Sequence, residues 1–258
     1  MRNRNLDQGS PPVRALILLL SGGLALLPCA RLAHAQDERR VASPDGQVEF
    51  RVFLLQPSGG ALPRISYQVR RAGRLVVDTS FLGFNIFNQE PILGENDGLT
   101  SSHTGEGAGY RWLVAEYMQN GSIGRRINIE VRAWDQGVAF RYVIPRSTPL
   151  DEILIEDELT EFNLAERSEP TNRDLPAAVA GPAGEWIGIS ETTVPGFPRM
   201  SLSRTGDGIL RVRLPRSSAY PLVAFEGRTP LVCPWRILTF AGEREQALHP
   251  ALPALSDK

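Results

Sequence analysis

Residues 126–142, RINIEVRAWDQGVAFRY, decide the fold class of this chain. Apolar residues occupy every second position on either side of a central turn: Ile127, Ile129, Val131, Val138, Phe140 and Tyr142. Successive side chains of a β-strand point to opposite faces, so a period of two buries one face and leaves the other in water. Asp135, Gln136 and Gly137 between the two runs favour a chain reversal. The segment therefore predicts a β-hairpin with one buried face.

The same period recurs on both sides of this hairpin. Further alternating runs lie at residues 48–54, 65–69 and 210–214. Turn-forming residues separate the runs, at positions 44–46, 58–60, 120–121 and 207–208. No stretch has the apolar spacing of an amphipathic helix, and about 220 residues suit one β domain. We therefore predict an all-β fold, a large antiparallel β-sandwich, over residues 36–258.

Two stretches rich in turn-forming residues, 90–109 and 166–184, are predicted to be long loops. The first contains Gly105, Gly107 and Gly109. A glycine-rich loop that cradles a phosphate group lies between a strand and a helix, and that context is missing here. We predict a surface loop instead.

Residues 1–35 have the pattern of a signal peptide. Three arginines precede an apolar run at residues 15–27, which ends before Ala33-His34-Ala35. The run is short for a membrane span, so the predicted mature chain begins at Gln36, lies in the periplasm or outside the cell and carries no membrane segment. The alternative is a lipid anchor at Cys29, which Pro28 disfavours.

The composition excludes several classes of partner and metal site. The formal net charge is −1 and the arginines are scattered, which excludes a nucleic-acid footprint. Once the signal peptide is removed, Cys233 has no cysteine to pair with, and we predict a small buried apolar residue. His103, Cys233 and His249 lack the spacing of zinc ligands.

No catalytic residue is assigned from the chemistry of the residues alone. Residues 188–192, GISET, resemble a nucleophile elbow, but Thr192 stands where that turn needs glycine, and Pro195 and Pro198 prevent a following helix. Five carboxylates between residues 151 and 158 could hold a cation, although such runs are generally solvated faces. They are Asp151, Glu152, Glu156, Asp157 and Glu158.

Several segments, taken in order, resemble the N-terminal domain of glycoside hydrolase family 97. They are residues 43–46 (SPDG), 125–129 (RRINI), 133–142 (AWDQGVAFRY), 158–162 (ELTEF), 186–191 (WIGISE) with 200–202 (MSL), and 229–230 (TP) with 234–237 (PWRI). The most specific is 133–142, which is similar to the family's DDGVAFRY segment. The resemblance covers residues 42–255.

This resemblance implies a β-supersandwich of the galactose-mutarotase-like kind. Family members are exported, calcium-dependent α-glucosidases or α-galactosidases, whose catalytic carboxylates lie in a (β/α)8 barrel that follows the sandwich. Glu191 matches the residue that the sandwich contributes to the calcium site, so calcium is expected only where a partner barrel completes the site. Where the family favours an acidic residue, a tyrosine and a glycine, this chain has Gly196, Phe197 and Arg199.

Three functions remain open. The first is an accessory domain that binds carbohydrate or docks onto a separately encoded barrel. The second is a truncated fragment of a complete glycosidase. The third is an enzyme of the mutarotase type, which would pair His103 or His249 with a carboxylate to move a proton.

Overall fold

The computed structural model describes residues 35–121, 124–166, 169–205, 207–216, 218, 221–253 and 255. The predicted signal peptide, residues 1–35, lies outside this range except for Ala35, and its cleavage stays a prediction. In the described ranges, no helix has the length and the apolar character needed to cross a membrane.

The described chain consists mainly of β-strands. They are β1 Ala35–Ala42, β2 Val48–Leu55, β3 Arg64–Arg71, β4 Arg74–Phe81, β5 Phe84–Ile86, β6 Gln89–Leu93, β7 Asp97–Gly107, β8 Tyr110–Gln119, β9 Arg126–Trp134, β10 Gly137–Ile144, β11 Glu152–Glu158, β12 Glu161–Leu164, β13 Ala177–Ala180, β14 Trp186–Glu191, β15 Ser201–Arg204, β16 Leu210–Arg213, β17 Phe225–Arg228, β18 Leu231–Val232 and β19 Arg236–Ala241. A short helix, α1, spans Arg244–Leu248, and a 3₁₀ turn spans Ser58–Gly60.

These strands form three antiparallel sheets. A seven-stranded sheet has the order β1-β2-β3-β4-β12-β16-β15, and an eight-stranded sheet has the order β13-β14-β19-β10-β9-β8-β7, with β18 beside β10. A four-stranded sheet has the order β17-β11-β5-β6. The prediction of an all-β antiparallel sandwich is confirmed.

The apolar side chains of the alternating strands pack between the two large sheets. Phe50 on β2 stacks on Tyr67 of β3, with ring centroids 5.2 Å apart. Both rings face Phe140 on β10 of the other sheet, whose centroid lies 5.0 Å from that of Tyr67. All three residues are fully buried. The period of two read from residues 126–142 therefore places one face of each strand in a common core.

The prediction of a loop at residues 90–109 was wrong. This stretch contains β6 and the eleven-residue strand β7, which pairs with β8 along its whole length. Glycine, serine and threonine made the stretch look irregular, because glycine has a low strand propensity. Pairing with an apolar, aromatic neighbour strand outweighs that local preference.

The prediction of a loop at residues 166–184 was wrong in part. Residues Ala177–Ala180 form β13, the edge strand beside β14, and three of its four residues are buried. The described residues between β12 and β13 belong to no strand, although Asp174 makes an isolated bridge to Ser201.

Candidate functional site

Glu191, the predicted calcium ligand, is the last residue of β14 and lies opposite Arg236, the first residue of β19. An Arg236 Nη1 group donates a hydrogen bond of 2.5 Å to Glu191 Oε2. The Arg236 side chain is 0% exposed and that of Glu191 1% exposed. The alternative interpretation of Glu191 as an ordinary surface carboxylate at a strand end is therefore wrong.

A second carboxylate, Glu158, binds the other side of the same guanidinium. Arg236 Nε donates to Glu158 Oε1 at 2.9 Å, and Nη2 donates to Oε2. Glu158 ends β11 and its side chain is 0% exposed, so the prediction of a solvated acidic face is wrong for this residue. Burying a carboxylate is tolerable here because a hydrogen-bonded cation faces both of its oxygens. Asp151 and Glu152, at the start of the acidic run, are exposed.

Hydrogen bonds continue from Glu158 across the core. The Thr160 hydroxyl donates to Glu158 Oε1 at 2.7 Å and lies 2.5 Å from the Tyr142 hydroxyl, which accepts a hydrogen bond from the Gly83 N–H at 3.3 Å. Buried polar groups are stable when each has a partner, and a connected network holds its members in one geometry. Glu191 is therefore the outer end of a rigid network.

Burial and charge set the protonation states of this network. Burial alone would lower the pKa of Arg236, but the facing Glu158 and Glu191 carboxylates raise it above its ordinary value. Burial raises the pKa of Glu191, and Arg236 and the Met200 N–H oppose that shift. Burial also raises the pKa of the nearby Cys233 thiol far above its usual range, so this thiol stays protonated and unreactive. The prediction that Cys233 is a small buried residue is confirmed.

The network reaches the surface beside a groove. The Met200 N–H donates to Glu191 Oε1 at 3.1 Å, and the Arg199 Nε atom lies 3.4 Å from the same oxygen. Directly after Glu191, the Thr192 N–H donates to the Trp235 carbonyl at 3.1 Å, and the Trp235 N–H donates to the Thr192 hydroxyl at 3.0 Å. The groove that follows has a cavity of about 380 Å³. It is lined by Arg141, Thr192, Thr193, Val194, Pro195, Val232, Cys233, Trp235 and Leu255.

The comparisons with known proteins agree with this fold. The family model described as Glycosyl-hydrolase 97 N-terminal matches residues 41–174, just over half of the chain. The chain belongs to this family. The match ends before β14, so the role of Glu191 in a family 97 metal site stays a prediction.

Solved structures of family 97 enzymes have the same fold over most of this chain. A glycoside hydrolase family 97 enzyme from Pseudoalteromonas sp. strain K8, solved with panose or with acarbose, aligns with a TM-score of 0.67 and 20% identity over 80% of the chain. A β-arabinopyranosidase aligns with a TM-score of 0.67 and 19% identity, also over 80%. The chain spans only 36% and 40% of the lengths of these two enzymes. Among curated proteins, none matches the chain.

The residues around Glu191 do not by themselves fit a calcium ion. Calcium takes about six to eight oxygen ligands, and one carboxylate supplies at most two. Both Glu191 oxygens already accept hydrogen bonds, and the guanidinium groups of Arg199 and Arg236 place positive charge beside them. Within the described ranges, no group of three or more His, Cys, Asp and Glu side chains is placed to hold a metal ion.

The other candidate residues of this family 97 domain are far apart in the fold. His103 lies on β7, at one edge of the eight-stranded sheet, where its Nε2 atom is 3.0 Å from the Ser101 hydroxyl. His249 follows α1, which packs on β13 and β14 at the opposite edge. Ser190 lies inside β14 rather than on a strand-to-helix turn. The buried Arg236 cation was not predicted from the sequence, because β19 is buried on both faces from Arg236 to Phe240 and shows no alternating pattern.

Proposed function

We propose that this chain is an exported, non-catalytic accessory domain that docks onto a family 97 (β/α)8 catalytic barrel through the end of β14. The observation that carries the proposal is the fully buried Glu158–Arg236–Glu191 network, which ends at the groove after Glu191. A buried ion pair adds little stability over apolar side chains of similar volume, so its place at a groove favours a role in binding.

The chemistry of the groove supports a protein partner. Arg199 is 61% exposed and lies against the almost fully buried Glu191 carboxylate, so this end of the domain presents a positive group at the surface. An exposed charge of this kind sets the register of an interface when it meets an opposite charge on the partner. The neighbouring groove has apolar Val194, Pro195 and Leu255 in its lining.

In this proposal, calcium binds at Glu191 only when the partner barrel is present. A barrel that brings its own carboxylates would provide the oxygens that Glu191 alone lacks. For the protein without a partner, we expect calorimetry to detect no tight calcium binding, with the same result for Glu191→Gln. Tight binding by this chain that Glu191→Gln leaves unchanged would place a calcium site elsewhere.

The docking test begins with the DNA that follows the coding sequence. The proposal expects a family 97 catalytic barrel encoded there as a separate protein. Co-expressed, the two proteins should elute together, and Glu191→Gln should weaken the complex. Glu152→Gln is the matched control, because Glu152 is exposed and pairs only with the exposed Arg228 in the described structure. A neighbouring barrel that does not bind would contradict the proposal.

A second candidate is that the chain is part of a complete calcium-dependent α-glucosidase or α-galactosidase. The observation that favours it is the coverage of only 36% of the Pseudoalteromonas enzyme. The same DNA distinguishes the two candidates, since an uninterrupted reading frame that continues into a barrel supports this one. Carbohydrate binding is compatible with both candidates.

A further inference from the structure

Two aromatic rings of β8 lie face-on against two glycines of the edge strand β7. Gly105 pairs with Trp112, and Gly107 pairs with Tyr110. A Cβ atom at Gly105 would come within 2.4–2.9 Å of three atoms of the Trp112 indole, and one at Gly107 within 2.3–2.7 Å of three carbons of the Tyr110 ring. The glycines therefore allow both rings to lie flat on the neighbouring strand.

These rings stand on the outer face of the eight-stranded sheet. On β8, Leu113 and Ala115 are buried in the core, and Trp112 and Val114 alternate with them on the opposite face. Trp112 is only partly buried, although its ring covers Gly105. Tyr110 also packs against the small buried cluster formed by Trp134, Ala139, Trp235, Ile237 and Leu255. Tryptophan at a surface is suited to binding, because it combines a large apolar area with a polar N–H group.

A cavity of about 180 Å³ adjoins the rings. It is lined by Tyr110, Trp112, Leu113, Val114, Glu130, Val131, Arg132 and Trp235. The volume is below that of pockets for drug-sized ligands, roughly 300–1,000 Å³, and suits a ligand of the size of one sugar ring.

The polar groups beside the cavity are held in fixed positions. Glu130 Oε2 accepts hydrogen bonds from Arg141 at 2.7–2.8 Å. The Arg132 guanidinium lies 5.1 Å from the Tyr110 ring centroid and 4.9 Å from that of Trp235. A carboxylate and a guanidinium present planar pairs of acceptors and donors, which match two adjacent hydroxyl groups.

We propose that this surface, formed by Tyr110, Trp112, Glu130 and Arg132, binds a neutral oligosaccharide of glucose. The C–H face of a glucose ring, whose hydroxyls are equatorial, is flat and apolar and would stack on Trp112. Its hydroxyls would then reach Glu130 and Arg132. The salt-bridged Glu130 makes the surface less suited to an anionic ligand such as nucleic acid. This surface shares Trp235 with the groove after β14 but is formed by side chains of β8 and β9, so the inference does not rest on docking to a barrel.

The test measures binding of maltohexaose and of cellohexaose to the full chain by calorimetry. Trp112→Ala should weaken the bound hexasaccharide about tenfold, equivalent to one lost aromatic stacking contact. Trp112→Phe should retain most of the affinity. Trp186→Ala is the matched control, because Trp186 is a partly buried tryptophan at the far side of the same sheet and should leave binding unchanged.

Gly105→Ala tests the position of the ring while the ring itself remains. The added methyl group would overlap the Trp112 indole, so the ring must move and the hexasaccharide should bind several-fold more weakly. Thermal unfolding of each variant shows that the fold is intact. Binding of neither hexasaccharide, or binding that Trp112→Ala and Gly105→Ala both leave unchanged, would overturn the proposal. Recognition of another protein through the same face would also appear as failure of both sugars to bind.

Discussion

At the scale of single residues, buried carboxyl groups differ in their surroundings. Glu158 and Glu191 hydrogen-bond to the buried Arg236, whereas burial dominates the pKa of Asp97. Asp97 at the start of β7 is 2% exposed. Burial raises its pKa to about 7, and the Gly94 N–H and Arg125 oppose that shift. The folded protein therefore holds the Asp97 proton more tightly than the unfolded chain does. Stability from this group is fully present below about pH 4 and is lost as the pH rises to about 7.

Replacing Asp97 with asparagine should remove this pH dependence. Above about pH 8, the variant should be more stable than the wild type by up to about 4 kcal/mol, because no carboxylate must ionise inside the protein. At pH 4 the two proteins should be nearly equal. Urea unfolding at both pH values measures the difference, and an Asp97→Asn variant that is less stable at pH 8 would contradict the argument.

Arg236 shows the opposite case, in which one cation supports two buried carboxylates. Arg236→Met keeps the volume but leaves Glu158 and Glu191 without their partner. We expect a loss of about 3–5 kcal/mol in the free energy of unfolding. Arg228→Met is the control, since its pair with Glu152 is exposed and is worth less than about 1 kcal/mol. Equal midpoints of denaturant unfolding for the two variants would refute the structural role of Arg236.

At the scale of elements, α1 depends on a glycine of the strand beneath it. A Cβ atom at Gly188 on β14 would lie 2.0 Å from the Ala247 carbonyl oxygen and 2.5 Å from Thr239 Oγ1. The Thr239 hydroxyl donates to that same carbonyl at 3.1 Å. The glycine that suggested a nucleophile elbow in the sequence therefore permits close packing of helix on strand.

Gly188→Ala should displace α1 from the sheet. We expect a cost of about 1–3 kcal/mol, because the clash involves backbone atoms that cannot rotate away. Gly242→Ala is the control, since a Cβ there meets nothing within 4 Å. Hydrogen exchange should show faster opening of residues 244–248 in Gly188→Ala, and unchanged protection there would argue against this contact.

Element boundaries divide into those that local sequence signals predict and those that they do not. β9 and β10 follow from the apolar period alone, and the turn between them lies at the predicted residues. The bounds of β7 do not follow from such a pattern. Gly105 and Gly107 have a low strand propensity, and Trp112 and Tyr110 of β8 cover them in the folded sheet. That stabilisation comes from the neighbouring strand and leaves no periodic signal in β7 itself.

At the scale of the whole molecule, the proposed role makes a prediction about hydrolysis. Glycoside cleavage requires two carboxyl groups held across the scissile bond. Glu158 and Glu191 are instead separated by the Arg236 guanidinium that binds both. The purified protein alone should not cleave aryl α-glucosides or α-galactosides. Turnover that disappears when a carboxylate of this chain is replaced would refute the non-catalytic role.

Export makes a second prediction at this scale. The residues at positions 33–35 match a signal-peptidase site, so protein recovered from the periplasm or medium should begin at Gln36. N-terminal sequencing measures this directly. A lipid-modified Cys29 at the N-terminus would show that the protein is anchored instead.

The sequence by itself determined the all-β class, the buried face of the main strands and the family likeness. Each depends on residues that are close in the chain, such as the alternation and the turn in residues 126–142. Only the tertiary structure decided that Glu158 and Glu191 share one buried arginine, because they lie 78 and 45 residues from Arg236. Strand register brings such residues together, and register results from packing the whole sandwich. For the same reason, Gly105 and Gly107 could not predict the surface around Trp112, because only the pairing of β7 with β8 brings them under the aromatic rings.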